Sequence, residues 1–209
     1  MAPKSILRTD RGFSVFELTV VIGILSIVIA AMYGVFASIN RSTTNTEVRA
    51  EIMQKLRTAI DFMEQDIRMA GLDRYKSAEA GIVYADDFKL NFTADRNMDG
   101  DIDKSLNMDD GIQEGELEYI TYEWDSSDNV LKQSLGTGPS QEVARNVADF
   151  KFTYYDDNDD TIAPPGAGTT KDDIRVVKVK MTVQQPAGRS GTISRTLTKR
   201  ILCRNLYYE

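Results

Sequence analysis

Residues 11–18 read Arg11-Gly12-Phe13-Ser14-Val15-Phe16-Glu17-Leu18, and the 22 residues from Leu18 to Ile39 carry no charge. About 20 apolar residues in helical form cross the hydrocarbon core of a bilayer, so this stretch is long enough to span. Its one acid, Glu17, stands at its mouth. A carboxylate beside an apolar span is costly to desolvate and needs a partner or a purpose. Charge is uneven on the two sides. The first 12 residues set Lys4, Arg8 and Arg11 against Asp10, a net of +2, which leaves −9 for the remaining 197. The bias of basic residues toward the cytoplasmic side predicts that the leading segment stays inside while the rest crosses.

An ordinary secretory signal puts its small-residue cleavage site after the apolar core. Here the Gly12–Phe13 junction comes before it. The segment closely resembles the prepilin signature of type IV pilin-like proteins, in which a Gly precedes an aromatic N-terminal residue and a Glu stands fifth in the mature chain. The resemblance implies a basic leader, residues 1–12, cut between Gly12 and Phe13 by a prepilin peptidase/methyltransferase, and N-methylation of the new Phe13 amine. It implies that Glu17 faces the cationic N-terminal amine of a neighbouring subunit in a filament core. It also implies a single-pass protein of the bacterial inner membrane, with a cytoplasmic N-terminus and a periplasmic head, that later enters a pilus or pseudopilus beside other pilins or pseudopilins. Gly12 suits a peptidase that grips extended backbone closely. The plain alternative places Glu17 at the headgroup level of a simple signal anchor.

The helical pattern continues past the apolar run. After the polar patch Asn40–Thr46, apolar residues recur at Val48, Ile52, Leu56, Ala59, Ile60, Met63, Ile67 and Ala70, in the steps of three and four that mark one helix face. Gly71 is the expected stop. A helix from Phe13 to Ala70 would hold 58 residues and reach about 87 Å at 1.5 Å per residue. The polar patch and Gly34 are its expected weak points, and no Pro stands near them to kink it. Residues 13–39 are read as the membrane or filament-core half, 40–71 as the amphipathic half and 72–209 as a β-rich periplasmic head.

Two phrases narrow the resemblance. Asp66-Ile67-Arg68-Met69-Ala70-Gly71 is similar to the end of the long helix in PilW-type minor pilins, and Arg204-Asn205 is similar to the ending of their last strand. J-type pseudopilins of type II secretion have a similar helix end.

From residue 80 the period changes to two. Strands are expected at 81–84, 88–93, 116–124, 130–134, 149–155, 174–183 and 192–203. Val177, Val179, Met181 and Val183 alternate with Lys178, Lys180 and Thr182, as on a sheet with one wet face. The aromatics of the third strand read as packing rather than as a ligand platform. The fold class expected is α+β: a pilin-like long N-terminal helix packed against an antiparallel sheet.

Residues 95–103 match the first nine positions of an EF-hand-type calcium loop, D-x-N-x-D-G-x-I-x. Asp95, Asn97, Asp99, Asp101 and Asp103 are the candidate ligands, Gly100 permits the sharp turn and Ile102 anchors the loop. The twelfth position is Leu106, where such loops carry a bidentate Glu, so a true EF-hand is not expected. Asp109, Asp110 or Glu114 is a candidate late carboxylate. Two readings stand: a calcium loop, in which a cation relieves the repulsion among the closely spaced acids, or a solvated acidic turn. A second cluster, Asp156-Asp157-Asn158-Asp159-Asp160, lacks the Gly and reads as a hairpin loop.

Composition limits the function. The chain of 209 residues has net charge −7, which argues against nucleic acid as a partner, because phosphate neutralisation needs excess Lys and Arg. There is no His, the commonest general base and transition-metal ligand. The single Cys, Cys203, allows no intrachain disulfide. An enzyme is therefore not expected, and no cofactor is required beyond the candidate Ca2+. The leading reading is a minor type IV pilin-like subunit that initiates or caps a pilus. The alternatives are a J-type pseudopilin, or a membrane-anchored calcium-binding or adhesive module that does not polymerise.

Overall fold

The computed structural model describes residues 14–76, 79–98, 100–102, 118–164, 169–187 and 191–206. One long helix, α1, spans Val15–Ile67. The chain divides into two compact units, residues 1–44 and 45–209. The division falls after Thr44, a few residues beyond the expected boundary at 39.

The described part of the first unit is helical and bears its large apolar side chains outward. Neither Gly34 nor the Asn40–Thr46 patch interrupts the helix. In the patch, the hydroxyls of Thr43 and Thr44 donate to the carbonyls of Ile39 and Asn40, at 3.1 and 3.0 Å, sharing those acceptors within a helix that continues unbroken.

In the second unit the 3.6-residue pattern does what it predicts. Ile52, Leu56, Ala59, Ile60, Met63, Ile67 and Ala70 are all buried. They pack against two antiparallel sheets, where the sequence led us to expect one. The first is a meander of β1 (Ile82–Ala85), β2 (Lys89–Thr93), β3 (Tyr119–Asp125), β4 (Val130–Leu135) and β5 (Gln141–Arg145), neighbours in chain order. The second comprises β6 (Val147–Tyr155), β7 (Thr161–Ile162), β8 (Val176–Pro186) and β9 (Thr192–Leu202), in the order β7-β6-β8-β9.

The crossing from one sheet to the other takes a single residue. Asn146 adopts φ 61°, a left-handed conformation that Asn tolerates better than most side chains. The sheets are tied again where Phe152 N donates to the carbonyl of Asp87 at 2.8 Å and the Tyr154 hydroxyl donates to that of Asp86 at 2.6 Å. Tyr154 is fully buried, and burial raises its pKa. The expected wet face of β8 is present: Val177, Val179, Met181 and Val183 are buried while Lys180 is exposed. On β3, Ile120 and Tyr122 face the core, and Trp124 packs on Phe88 with ring centroids 5.3 Å apart. Cys203 is a buried free thiol whose pKa is pushed up to about 12 by burial.

α1 stops at Ile67, short of the expected Ala70, because the chain tightens. Met69 N donates to Asp66 O at 2.9 Å and Ala70 N to Ile67 O at 3.1 Å, both three-residue spans. Gly71 then takes φ 75° and its N–H leaves the helix for the carbonyl of Thr93, at 3.0 Å. A Cβ on Gly71 would also press on the Leu206 side chain, which would have to shift, so conformation demands this glycine and packing favours it.

Gly71→Ala should therefore destabilise the second unit by roughly 2–4 kcal/mol, the sum of left-handed strain and overpacking. Chemical denaturation of the full chain in detergent measures it. A loss below about 0.5 kcal/mol would show that Leu206 and the backbone yield freely.

Candidate assembly and cation sites

The N-terminus of α1 explains part of Glu17 without a second subunit. The Ser14 side-chain oxygen accepts from Phe16 N at 3.3 Å, and Glu17 Oε2 accepts from Ser14 N at 3.1 Å. This reciprocal pair is a capping box, and its S-x-x-E pattern stood in the sequence as Ser14-Val15-Phe16-Glu17. One carboxylate oxygen is occupied in this way. Among the described residues no Lys or Arg pairs with Glu17. Gly12 and Phe13 lie outside the described residues.

Beyond Glu17 the helix hides its few polar groups. The Thr19 hydroxyl donates to Phe16 O at 2.8 Å and that of Ser26 to Ile22 O at 2.7 Å. Such back-bonding means that these two hydroxyls need no partner from lipid. The apolar surface goes all round: Phe16, Ile27 and Tyr33 are each more than 70% exposed. An added Cβ at Gly23 or Gly34 would meet nothing within 4 Å, which leaves room for a helix to approach closely. By length and composition α1 is the one described helix able to cross a membrane.

In the second unit the strongest polar node is Asp66, near the C-terminus of α1 and 6% exposed. Its Oδ1 accepts from Arg96 Nη2 at 2.6 Å. Its Oδ2 accepts from the Tyr122 hydroxyl at 2.6 Å and from Gln133 Nε2 at 2.7 Å. Gln133 also donates to the Tyr122 oxygen, at 3.0 Å. Burial, then the Asp66 carboxylate, raises the Tyr122 pKa and keeps the phenol a donor. Four elements meet on one carboxylate: the helix, β3, β4 and the segment after β2. A second clasp lies beside it. The Asn205 amide is within 3.3–3.5 Å of the carbonyls of Arg68, Met69 and Ala70, in the turn that follows the helix, where Met69 O also accepts from Leu72 N at 2.9 Å. The phrases 66–71 and 204–205, separate in sequence, are one junction in space.

The acidic segment after β2 grows from that junction. Asp95 N donates to Leu72 O at 2.7 Å, and Arg96 is already held by Asp66. Asp95 is fully buried, and its Oδ2 accepts from Gly100 N at 3.2 Å across the turn. Gly100 has φ 86° and Met98 φ 64°. Asn97 and Asp101 are exposed. Asp99 and Asp103 lie outside the described residues, as do Asp109, Asp110 and Glu114. Among the described residues no three His, Cys, Asp or Glu side chains converge as a metal site.

The second acidic cluster is a hairpin turn between β6 and β7, as expected. Asp156 Oδ1 accepts from Asn158 N and Asp160 N at 3.0 and 2.8 Å, and Asp159 is paired with Arg200, which lowers the Asp159 pKa.

No family model matches the chain. A pilin-like protein, PilA3, of Thermus thermophilus is 33% identical over 67 residues, which make up 32% of this chain and 29% of that protein. The chain thus matches less than a third of that relative's length. The resemblance to pilin-like proteins holds. A type IV-like pilin of Thermus thermophilus with a solved structure covers 74% of this chain and 97% of its own, with a TM-score of 0.48 and 11% identity. The coordinates themselves give the α+β fold, with the C-terminal half of the long helix against antiparallel sheets.

Asp66→Ala removes the acceptor shared by Tyr122, Gln133 and Arg96. It should cost about 3 kcal/mol, as breaking a largely buried ion pair does. Tyr122→Phe added to it should cost less than Tyr122→Phe alone, because the phenol has by then lost the acceptor for its proton and keeps only the bond from Gln133. Urea denaturation of the single and double variants reads both effects, and plain additivity would show that the node is not shared.

Proposed function

We propose that this chain is a minor type IV pilin-like subunit, of PilW type, which joins a pilus by helix packing and carries a β-rich head. The observation that supports it most is the first unit. Beyond Glu17 its described helix is uncharged to Ile39 and predominantly apolar, with the hydroxyls of Thr19 and Ser26 turned back onto the backbone. Such a surface suits lipid first and neighbouring helices afterwards. The match to a pilin-like protein supports the same reading.

In this reading a prepilin peptidase/methyltransferase removes residues 1–12 at the inner membrane and methylates Phe13. The Glu17 carboxylate then does two things: it caps its own helix through Ser14, and its remaining capacity as an acceptor serves the amine of an adjacent subunit. The head stays on the periplasmic side until the subunit is drawn into the filament. Activity is by assembly, not by catalysis.

Two measurements test this. Mass spectrometry of the membrane-extracted protein should find a methylated Phe13 as first residue, and Gly12→Val should leave the leader on; an intact leader on the wild type refutes the reading. Glu17→Gln keeps an acceptor for the cap and loses the charge, whereas Glu17→Ala loses both. Both should insert in the membrane, and both should enter sheared pili at least tenfold less than wild type. Normal incorporation of Glu17→Gln would leave Glu17 as a cap alone.

A further inference from the structure

We propose that the free edge of β9 takes one further strand, an acidic extended segment of a neighbouring subunit. β9 ends the second sheet and runs for 11 residues, Thr192–Leu202. Its pairing with β8 keeps one register from the Pro186–Thr192 pair to the Val176–Leu202 pair, with no bulge. Two bonds fix which way its backbone points. Cys203 N donates to Arg175 O at 2.9 Å, so the odd-numbered residues of β9 bond to β8. Gln184 N donates to Asn146 O at 3.0 Å, so the even-numbered residues of β8 turn the other way, toward β6. The N–H and C=O groups of Thr192, Ser194, Thr196, Thr198, Arg200 and Leu202 therefore point outward, and among the described residues none of them meets a backbone partner. All six residues are exposed.

The other edges are managed in the ways that keep strands from pairing at random. At β1 the Lys171 ammonium donates to Ile82 O at 2.9 Å, from the turn Thr169–Asp173. β5 has five residues and a register shift against β4, and β7 has two residues. β9 has neither bulge nor Pro. Its device is charge: Arg195, Lys199 and Arg200 with no acid, in a chain of net charge −7. Pairing with β9 of a second copy would set these cations against one another, so the edge disfavours its own kind. Lys199 is held by Asp61 and Glu64, and Arg200 by Asp159. Arg195 is exposed, and among the described residues no acid pairs with it. A strand laid on this edge completes the outward backbone bonds, and an acid on it beside Arg195 gives the charge match that a second copy lacks. The source of the strand rests on the reading of this chain as a subunit that assembles; the edge itself rests on the second unit alone.

The test uses the full chain in detergent micelles and, as probe strand, a peptide of about ten residues that alternates Thr and Glu. Hydrogen exchange followed by NMR should show the six outward amides exchanging fast in the free chain. The probe should slow them at least fivefold and leave the odd-numbered amides of β9, already bonded to β8, unchanged. A peptide alternating Thr and Lys should protect none. Thr198→Pro removes one outward N–H and no bond to β8, so it should fold and lose the probe. Arg195→Glu should weaken the probe at least fivefold, and it decides alone if the proline variant does not fold. No protection by the Thr–Glu peptide, equal protection by both peptides, or unchanged binding in the folded variants overturns the edge site, whatever becomes of the leader or of Glu17. In cells, Thr198→Pro should reach the membrane and enter sheared pili at least tenfold less than wild type; normal entry overturns the neighbouring subunit as the source of the strand.

Discussion

The second unit depends on the carboxylate of Asp66. A helix that must seat on two sheets needs its rotation and its endpoint fixed, and apolar packing alone fixes neither sharply, since it is non-directional. Asp66 supplies the direction. With Arg96 on one oxygen and Tyr122 and Gln133 on the other, it has a distinct partner from each element around the end of α1. A half-satisfied version of this cluster would be worse than an apolar core, so its members stand or fall together. Arg96 is part of the same geometry, and the turn that begins at Asp95 is therefore built on the helix end rather than hung from a free loop.

The exit from the helix follows from the same constraint. The tightened turn after α1 takes up the carbonyls of Glu64, Asp66 and Ile67, and the chain must then leave in a direction that lets Gly71 and Asp95 pair with Thr93 and Leu72. A positive φ at Gly71 provides the direction, and the Asn205 amide, brought back by β9, provides donors for the carbonyls of 68–70. Leu206 fills the space that a side chain on residue 71 would need. The two short phrases at residues 66–71 and 204–205 therefore meet through the Asn205 amide, with Leu206 packed beside Gly71.

Much of this was legible in the sequence, and the misses have physical causes. The buried face of α1 was read residue by residue, because a 3.6 period leaves little freedom once one face is apolar. Seven strands were placed to within a few residues. β5 was missed because Gln141–Arg145 is an edge strand, polar or half-exposed on both faces and so without alternation; β7 has only two residues. The split into two sheets was not legible, since it turns on the backbone of the single residue Asn146. The Asp66 node was also hidden: its partners lie 30, 56 and 67 residues away, and no local pattern announces them. The capping box at Ser14–Glu17, by contrast, was fully present in the sequence and was overshadowed by the other role that the resemblance gives Glu17.

Those two roles are compatible, and the reason is stoichiometric. A carboxylate offers about four acceptor positions, and one backbone N–H uses one of them. Capping also fixes where the charge points, because the bond from Ser14 N holds the side chain of Glu17 back along the first turn. A carboxylate already positioned loses less side-chain freedom when a cationic partner arrives, and preorganisation of that kind favours pairing in an apolar setting. The local bond that accounts for Glu17 in an isolated subunit therefore also prepares it for a neighbour.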